Sequence, residues 1–423
     1  MVKRFAPVLL ISLLVLLSAC AQSTPVVPTR VILEPTVDVN AARSTALAAA
    51  AATRTQAALP PTHGGPTLPP SWTPTDPPVA SDTPAAPPTL PPPVDELLIG
   101  WLYYIYNADS IARVRADGTG SELIVTFGVD RSISDLTAAP DGSLLAFVAP
   151  GNGSAREVWV TSPDGSYLQQ ISCLGFSEVL APAWSADSSQ LAFIAAPAPG
   201  AARTLHVAGV AGSNICPQGN NQRQITATTG STLSEVVWSA DGERLFFSDT
   251  TLFSTGLDGS VSSPLTLTLG FGPDRALSIQ PGQSTQLTYL AIVQGSRPTA
   301  RQIDVSTALA QGQPRPEFRD LPVRDTQALA WSADGRYLVY VREDEVMLYD
   351  TGPRSTRTLV EGLTAPQEAL FAPYSTVLVA YTAQDPDNPG IPQVYVFNRR
   401  SGAVSQVTAH TEGTVADVLW LDG

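Results

Sequence analysis

The stretch Ala330-Trp331-Ser332-Ala333-Asp334-Gly335-Arg336-Tyr337-Leu338-Val339-Tyr340 decides the fold. Two short apolar runs flank an Asp-Gly pair. Aspartate hydrogen-bonds backbone two residues on and glycine accepts a positive φ, so the pair turns the chain tightly between two strands. Versions recur at Ala138-Ala139-Pro140-Asp141-Gly142, Trp184-Ser185-Ala186-Asp187-Ser188 and Trp238-Ser239-Ala240-Asp241-Gly242. Weaker copies stand at Ile279-Gln280-Pro281-Gly282 and Phe371-Ala372-Pro373-Tyr374-Ser375. Each is followed by an apolar run such as Leu144-Leu145-Ala146-Phe147-Val148 or Leu191-Ala192-Phe193-Ile194, which reads as a strand.

Each unit then supplies a second hairpin, for example Val158-Trp159-Val160, Ser162-Pro163-Asp164-Gly165 and Leu168-Gln169-Gln170-Ile171-Ser172. Four strands at a period of roughly 40–50 residues make one propeller blade. The two ends of the repeat region complement each other. Residues 97–127 hold three strands without an opening hairpin, and Val415-Ala416-Asp417-Val418-Leu419-Trp420 is an opening strand with nothing after it. The expected fold is therefore all-β: a β-propeller of seven four-stranded blades over 95–423, with the C-terminal strand closing the first blade.

These copies resemble the WD40-like repeats of TolB-type propellers. The turn, the strand after it and the closing steps Gln170-Ile171-Ser172, Gln224-Ile225-Thr226 and Gln406-Val407-Thr408 carry the likeness. The resemblance implies a propeller and suggests protein partners, without naming one.

Against the repeats, individual residues take structural readings. Asp141, Asp187, Asp241 and Asp334 are spread around a rim by the repeat, so they are expected to build turns rather than share an ion. Trp184, Trp238, Trp331 and Trp420 occupy equivalent opening strands, where they are expected to wedge neighbouring blades together. Asp385, Asp387 and Asn388 are the one oxygen-rich set of calcium type. The same residues make an ordinary turn, so neither metal nor cofactor is expected. His206 and His410 lie near outer strands without carboxylates at ligand spacing, and no nucleophile elbow, zinc motif or phosphate loop occurs.

Upstream of the repeats the composition changes. Lys3 and Arg4 precede an apolar run, Phe5 to Leu17, too short to span a bilayer of ~30 Å as a helix. It fits the core of a signal peptide covering 1–19. The segment ends in Leu17-Ser18-Ala19-Cys20, which resembles the lipobox of bacterial lipoproteins; that likeness implies cleavage before Cys20 and lipid on its thiol. Residues 20–94 are rich in alanine, threonine and proline, a composition that builds no packed core and extends as a disordered linker. His63 and Trp72 fall in this stalk.

With Cys20 reserved for lipid, Cys173 and Cys216 remain. An even pair in an oxidising compartment invites a disulfide. However, Cys173 follows an outer strand while Cys216 sits in a long loop on the opposite face. That separation exceeds the Cα spacing of about 4.4–6.8 Å a disulfide needs, unless the loop folds back. The pairing stays open at this point.

The formal charge of −14 over 423 residues excludes nucleic acid, whose phosphates need a basic footprint. The chain thus reads as a lipoprotein of the cell membrane or outer membrane, facing the periplasm or exterior. Its propeller is expected to be a non-catalytic binding or scaffolding module for envelope or cell-surface proteins or glycans. The alternative is a propeller enzyme acting on extracellular polysaccharide or peptide. A Cys20→Ala variant is expected to lose incorporation of labelled palmitate in growing cells; retained label would refute the anchor.

Overall fold

Strands buried on both faces need neighbours on both faces, and a radial array of sheets supplies them. The computed structural model describes residues 96–128, 131–211, 222–227, 232–261, 264–266, 275–292, 297–310, 318–326 and 328–422. The signal segment, Cys20, the linker and Cys216 lie outside the described residues.

The first sheet holds β1 (Trp101–Tyr106), β2 (Ser110–Arg115) and β3 (Glu122–Thr126). Next come β4 (Ser134–Ala138), β5 (Leu145–Pro150), β6 (Arg156–Thr161) and β7 (Leu168–Gln170), then β8 (Glu178–Trp184), β9 (Gln190–Ala196), β10 (Thr204–Gly209) and β11 (Gln222–Ala227). The fourth unit has β12 (Glu235–Trp238), β13 (Arg244–Ser248) and β14 (Leu252–Gly256). The fifth has β15 (Arg275–Ile279), β16 (Gln286–Ala291), β17 (Thr299–Asp304) and β18 (Phe318–Arg324). The sixth has β19 (Ala330–Trp331), β20 (Tyr337–Arg342), β21 (Glu345–Asp350) and β22 (Ser355–Val360). The seventh has β23 (Ala369–Phe371), β24 (Leu378–Asp385), β25 (Asn388–Asn398) and β26 (Val404–Gln406), and β27 (Val415–Leu421) ends the chain.

Within each unit the strands pair in chain order, and β27 pairs with β1. This is an all-β, seven-bladed propeller closed by its last strand. The closing register runs Trp101↔Leu421, Leu102↔Trp420 and Tyr103↔Leu419, then shifts by a bulge before Ile105↔Ala416. Three strands of the fourth blade are described; outside them Val261 bridges Thr255 and Leu265 N donates to Leu252 O at 2.8 Å. A short helix, α1 (Val305–Ala310), which the sequence reading missed, follows β17; Asp304 caps it by accepting Ser306 N at 3.0 Å.

The innermost strands lie side by side around the axis: β27 on β4, β4 on β8, β8 on β12, β12 on β15, β19 on β23 and β23 on β27. The core sits between blades. Trp184 packs with Val158 and Val160 of the preceding blade, and Trp238 with Leu205 and Val207. Trp420 packs with Leu378 and Val396, while the half-buried Trp331 lies against Leu290 and Val323. Two of these indoles are also hydrogen-bonded: Trp238 Nε1 donates to Ala183 O of the preceding blade at 2.9 Å, and Trp420 Nε1 to Ile99 O, just before β1, at 3.0 Å. Truncating a wedge of this kind costs about 3–5 kcal/mol.

At the turns, Asp187, Asp241 and Asp334 each accept the N–H two residues on, at 3.1, 3.0 and 3.0 Å. Asp141 does the same with Ser143 at 3.0 Å. The serine beside each tryptophan, which the sequence reading left without a role, completes the device. Ser185, Ser239 and Ser332 donate to the aspartate at 2.6, 2.5 and 2.6 Å. Each hydroxyl also accepts the N–H five residues on, from Gln190, Arg244 and Tyr337.

The weak seventh copy departs for a reason. Tyr374 stands where four of the other copies carry aspartate, and its hydroxyl donates to Leu97 O at 2.7 Å and accepts Ile99 N at 3.1 Å. Beside it Glu96 pairs with Arg400 and accepts Asn398 Nδ2 at 3.3 Å. The chain therefore enters the propeller at the face that carries the turns between first and second strands and between third and fourth strands.

Gly142 and Gly335 occupy the same turn position with φ of 69° and 68°, which a side chain adopts only at a cost of roughly 1 kcal/mol. They differ in surroundings. A Cβ at Gly142 meets open space, whereas one at Gly335 runs into the Pro281 carbonyl of the preceding blade. Gly335→Ala is therefore expected to lower stability in urea by several times the effect of Gly142→Ala. Equal losses would show that the blade contact is slack.

Candidate functional site: the inner ring of carboxylates

The innermost strands carry a device that only the folded chain reveals. Three residues before the tryptophan position, or its equivalent, stand Asp417, Asp135, Ala181, Glu235, Ala276, Ala328 and Glu368. Four of them have positive φ: Asp135 (57°), Ala181 (53°), Ala276 (52°) and Asp417 (51°). The register shifts at the same place in the first, second, third and fifth blades. Each bulge frees N–H groups from the ladder, and these need acceptors.

Carboxylates from the preceding blade supply them. Glu368 accepts Asp417 N and Val418 N, one on each oxygen, both at 2.8 Å. Asp417 Oδ2 accepts Leu136 N at 3.1 Å, and Asp135 Oδ1 accepts Ala181 N at 3.2 Å. Glu235 Oε2 accepts Leu277 N at 2.9 Å. All five bonds run from one inner strand to the next in the same rotational sense. They place three consecutive carboxylates, Glu368, Asp417 and Asp135, on half-buried positions along the channel wall.

Electrostatics follows from that crowding. Burial, and then the charge of Asp417, push the Glu368 carboxyl up, against the lowering pull of the two N–H donors. Burial and the charge of Asp135 likewise raise Asp417. Among the described residues no group of three or more His, Cys, Asp or Glu is arranged to hold a metal ion.

The remaining candidates are placed apart from this ring. His206 lies on β10, buried and stacked on Phe193 at 5.5 Å between ring centroids, with Nε2 2.7 Å from Thr204 Oγ1. Burial pushes its imidazole down to about 4, so it is neutral at pH 7. His410 stacks on Tyr106 at 4.6 Å, and its Nε2 is 3.1 Å from Tyr104 Oη, which fastens the closing blade. Asp385 is spent on its own turn, accepting Asp387 N at 2.9 Å and Asn388 Nδ2 at 3.3 Å. The turn is short, since β24 runs to Asp385 and β25 begins at Asn388.

Cys173 is disulfide-bonded, so the expected separation of the two faces does not keep it apart from a partner. Its N–H donates at 2.9 Å to Gln222 Oε1, and the first residue of β11 thereby comes beside it.

Sheet order, closure and the inner ring together define a seven-bladed β-propeller with four-stranded blades. No protein-family model matches the sequence, and no curated protein matches it. Solved propellers do. TolB from Acinetobacter baumannii is 13% identical with a TM-score of 0.45, over 76% of this chain and 82% of that one. A prolyl endopeptidase is 14% identical with a TM-score of 0.51, over 75% of this chain and 50% of that one. An oligogalacturonate lyase in complex with manganese is 13% identical with a TM-score of 0.50, covering 74% and 87%. Identities this low show the shared fold alone.

For Glu368 and Asp417 the raised carboxyls bind protons more tightly in the folded state than in the unfolded chain. They therefore favour folding most below the ordinary carboxylate range, and that contribution is lost as pH rises through their raised values. The turn aspartates act oppositely. Asp164, held at about 2 by Ser162 and Ser166, contributes above the ordinary value and loses it as pH falls toward 2. Asp417→Asn is expected to bring the Glu368 titration down toward the ordinary range, read from its carboxyl carbon resonance. A Glu368 titration unmoved by that change would refute the coupling.

Proposed function

We propose that the protein is a lipoprotein tethered through Cys20 outside the cytoplasm, whose propeller binds an envelope or cell-surface protein or glycan without transforming it. One observation carries the non-catalytic part of this reading. The carboxylates on the channel wall, the groups best placed for acid–base work, are committed to backbone N–H donors of the next blade. Withdrawing Glu368 to serve as a base would take the acceptor from two part-buried N–H donors at once. The groups are structural staples.

The recognition surface in this reading is the face opposite the chain entry, where loops joining second to third strands differ from blade to blade. Gly151-Asn152-Gly153-Ser154 is the clearest of these, with Asn152, Gly153 and Ser154 exposed. Non-repeating loops on a repeating scaffold are where propellers acquire specificity.

The test is capture from envelope extract on the immobilised protein, compared with a variant in which residues 151–154 are replaced by a two-residue turn. Saturable retention of a discrete protein or glycan, reduced by the replacement, is the expected result. Retention of nothing would sink the binding reading. Release of peptide or sugar fragments from envelope polymers, abolished by Glu368→Gln, would install the enzyme reading in its place.

A further inference from the structure

Blades six and seven leave a groove between the turns at the ends of β21 and β25, on the face where the chain enters. The cavity there measures about 350 Å³ and is lined by Tyr337, Leu348, Asp350, Pro353, Ser355, Arg357 and Arg399. That volume is within the range of small-molecule sites, which begin at about 300 Å³.

Two guanidinium groups converge on it. Arg399 lies over the Tyr337 ring at 4.2 Å from its centroid, and its Nη1 donates to Thr376 O. Its Nε is buried and has no hydrogen-bond partner among the described residues. Arg357 pairs through its backbone position with Leu348, while its exposed side chain makes no hydrogen bond or ion pair among the described residues. Burial first, and then the nearby charge of Arg357, push the Arg399 guanidinium down, against the opposing pull of Tyr337 and Asp350.

One carboxylate borders the cavity, and it is already engaged. Asp350 accepts Gly352 N at 2.9 Å and faces the Arg336 guanidinium at 3.4 Å through both oxygens. Its charge and the Tyr337 hydroxyl offset part of the burial of Arg399, but no ion pair joins Asp350 to either cavity arginine among the described residues. Bringing two like charges together beside a buried, unsatisfied N–H is unfavourable in an empty groove and becomes favourable when an anion enters. The surrounding protein sharpens the point. In a chain of net charge −14, two neighbouring arginines that share one carboxylate, itself facing Arg336, stand against the overall balance. Planar guanidinium forks match oxyanions with paired, charge-assisted hydrogen bonds, which a single ammonium group does not offer. Ser355 at the start of β22 adds a hydroxyl at the rim.

We propose that this groove is a binding site for a small oxyanion, a carboxylate or a phosphate, held between Arg357 and Arg399. The site is separate from the recognition loops on the other face and stands whether or not that reading holds.

Calorimetric titration of the full-length protein with inorganic phosphate, with glucuronate and with glucose tests it. At least one oxyanion is expected to bind at one site per chain, and glucose is expected not to bind. Binding of phosphate alone identifies a phosphate ester as the natural ligand class, and binding of glucuronate alone identifies a sugar acid. Arg357→Gln is expected to weaken the oxyanion about tenfold or more while leaving thermal stability unchanged, because Arg357 supports nothing else. Failure of both oxyanions, equal binding of glucose, or unchanged affinity in Arg357→Gln would each overturn the proposal.

Discussion

Everything in this molecule depends on the pairing of its last strand with its first. Six blades are built from consecutive residues, but the remaining one exists only when β27 reaches β1 from the far end of the chain. Until then the array has two raw edges, each a row of unpaired backbone groups. Closure satisfies both at once and brings Trp420 against Leu378 and Val396 of the seventh blade. It also places His410 on Tyr106 and Tyr104, so the loop that precedes β27 is pinned to the strand that β27 must find. Contacts of such sequence separation make folding slow, since loop entropy is lost before they form.

The inner carboxylates solve a second problem that closure creates. Seven sheets meeting at an axis leave little room, and the innermost strands yield by bulging. A bulge exposes N–H groups that no ladder partner can reach, and a carboxylate one blade back can. Wedges of tryptophan hold the blades apart at fixed spacing, while these bonds draw their inner strands together. The like charges of Glu368, Asp417 and Asp135 oppose that arrangement. The N–H donors offset the opposition, and the balance shifts with pH.

The blades were legible because the Trp-Ser-Ala-Asp-Gly turn repeats and each of its side chains has a local duty. Asp334 and Gly335 turn the chain within four residues, so their meaning survives in the sequence alone. The copy at Tyr374 looked merely degenerate, and its reason lies in Leu97 and Ile99, which are far away in the chain. The inner ring was illegible for a physical reason. Ala181 and Ala276 adopt positive φ although nothing in alanine favours it, and the force that imposes it is the crowding at the axis. Arg357 and Arg399 sit on different blades, and no spacing rule connects them. Cys173 shows the same limit: its surroundings depend on a return path that strand order does not specify.

The point where the chain joins the propeller has a mechanical meaning. Glu96, Leu97 and Ile99 are clamped by Arg400, Tyr374 and Trp420 immediately before β1 begins. A pull on the N-terminal side is thus shared between the seventh blade and β27 before it reaches the closing pair. Past the clamp, force runs along β1, which lies between β27 and β2 and loads both ladders in shear rather than peeling them one bond at a time. A ring closed by strand pairing is strongest against force applied in that direction.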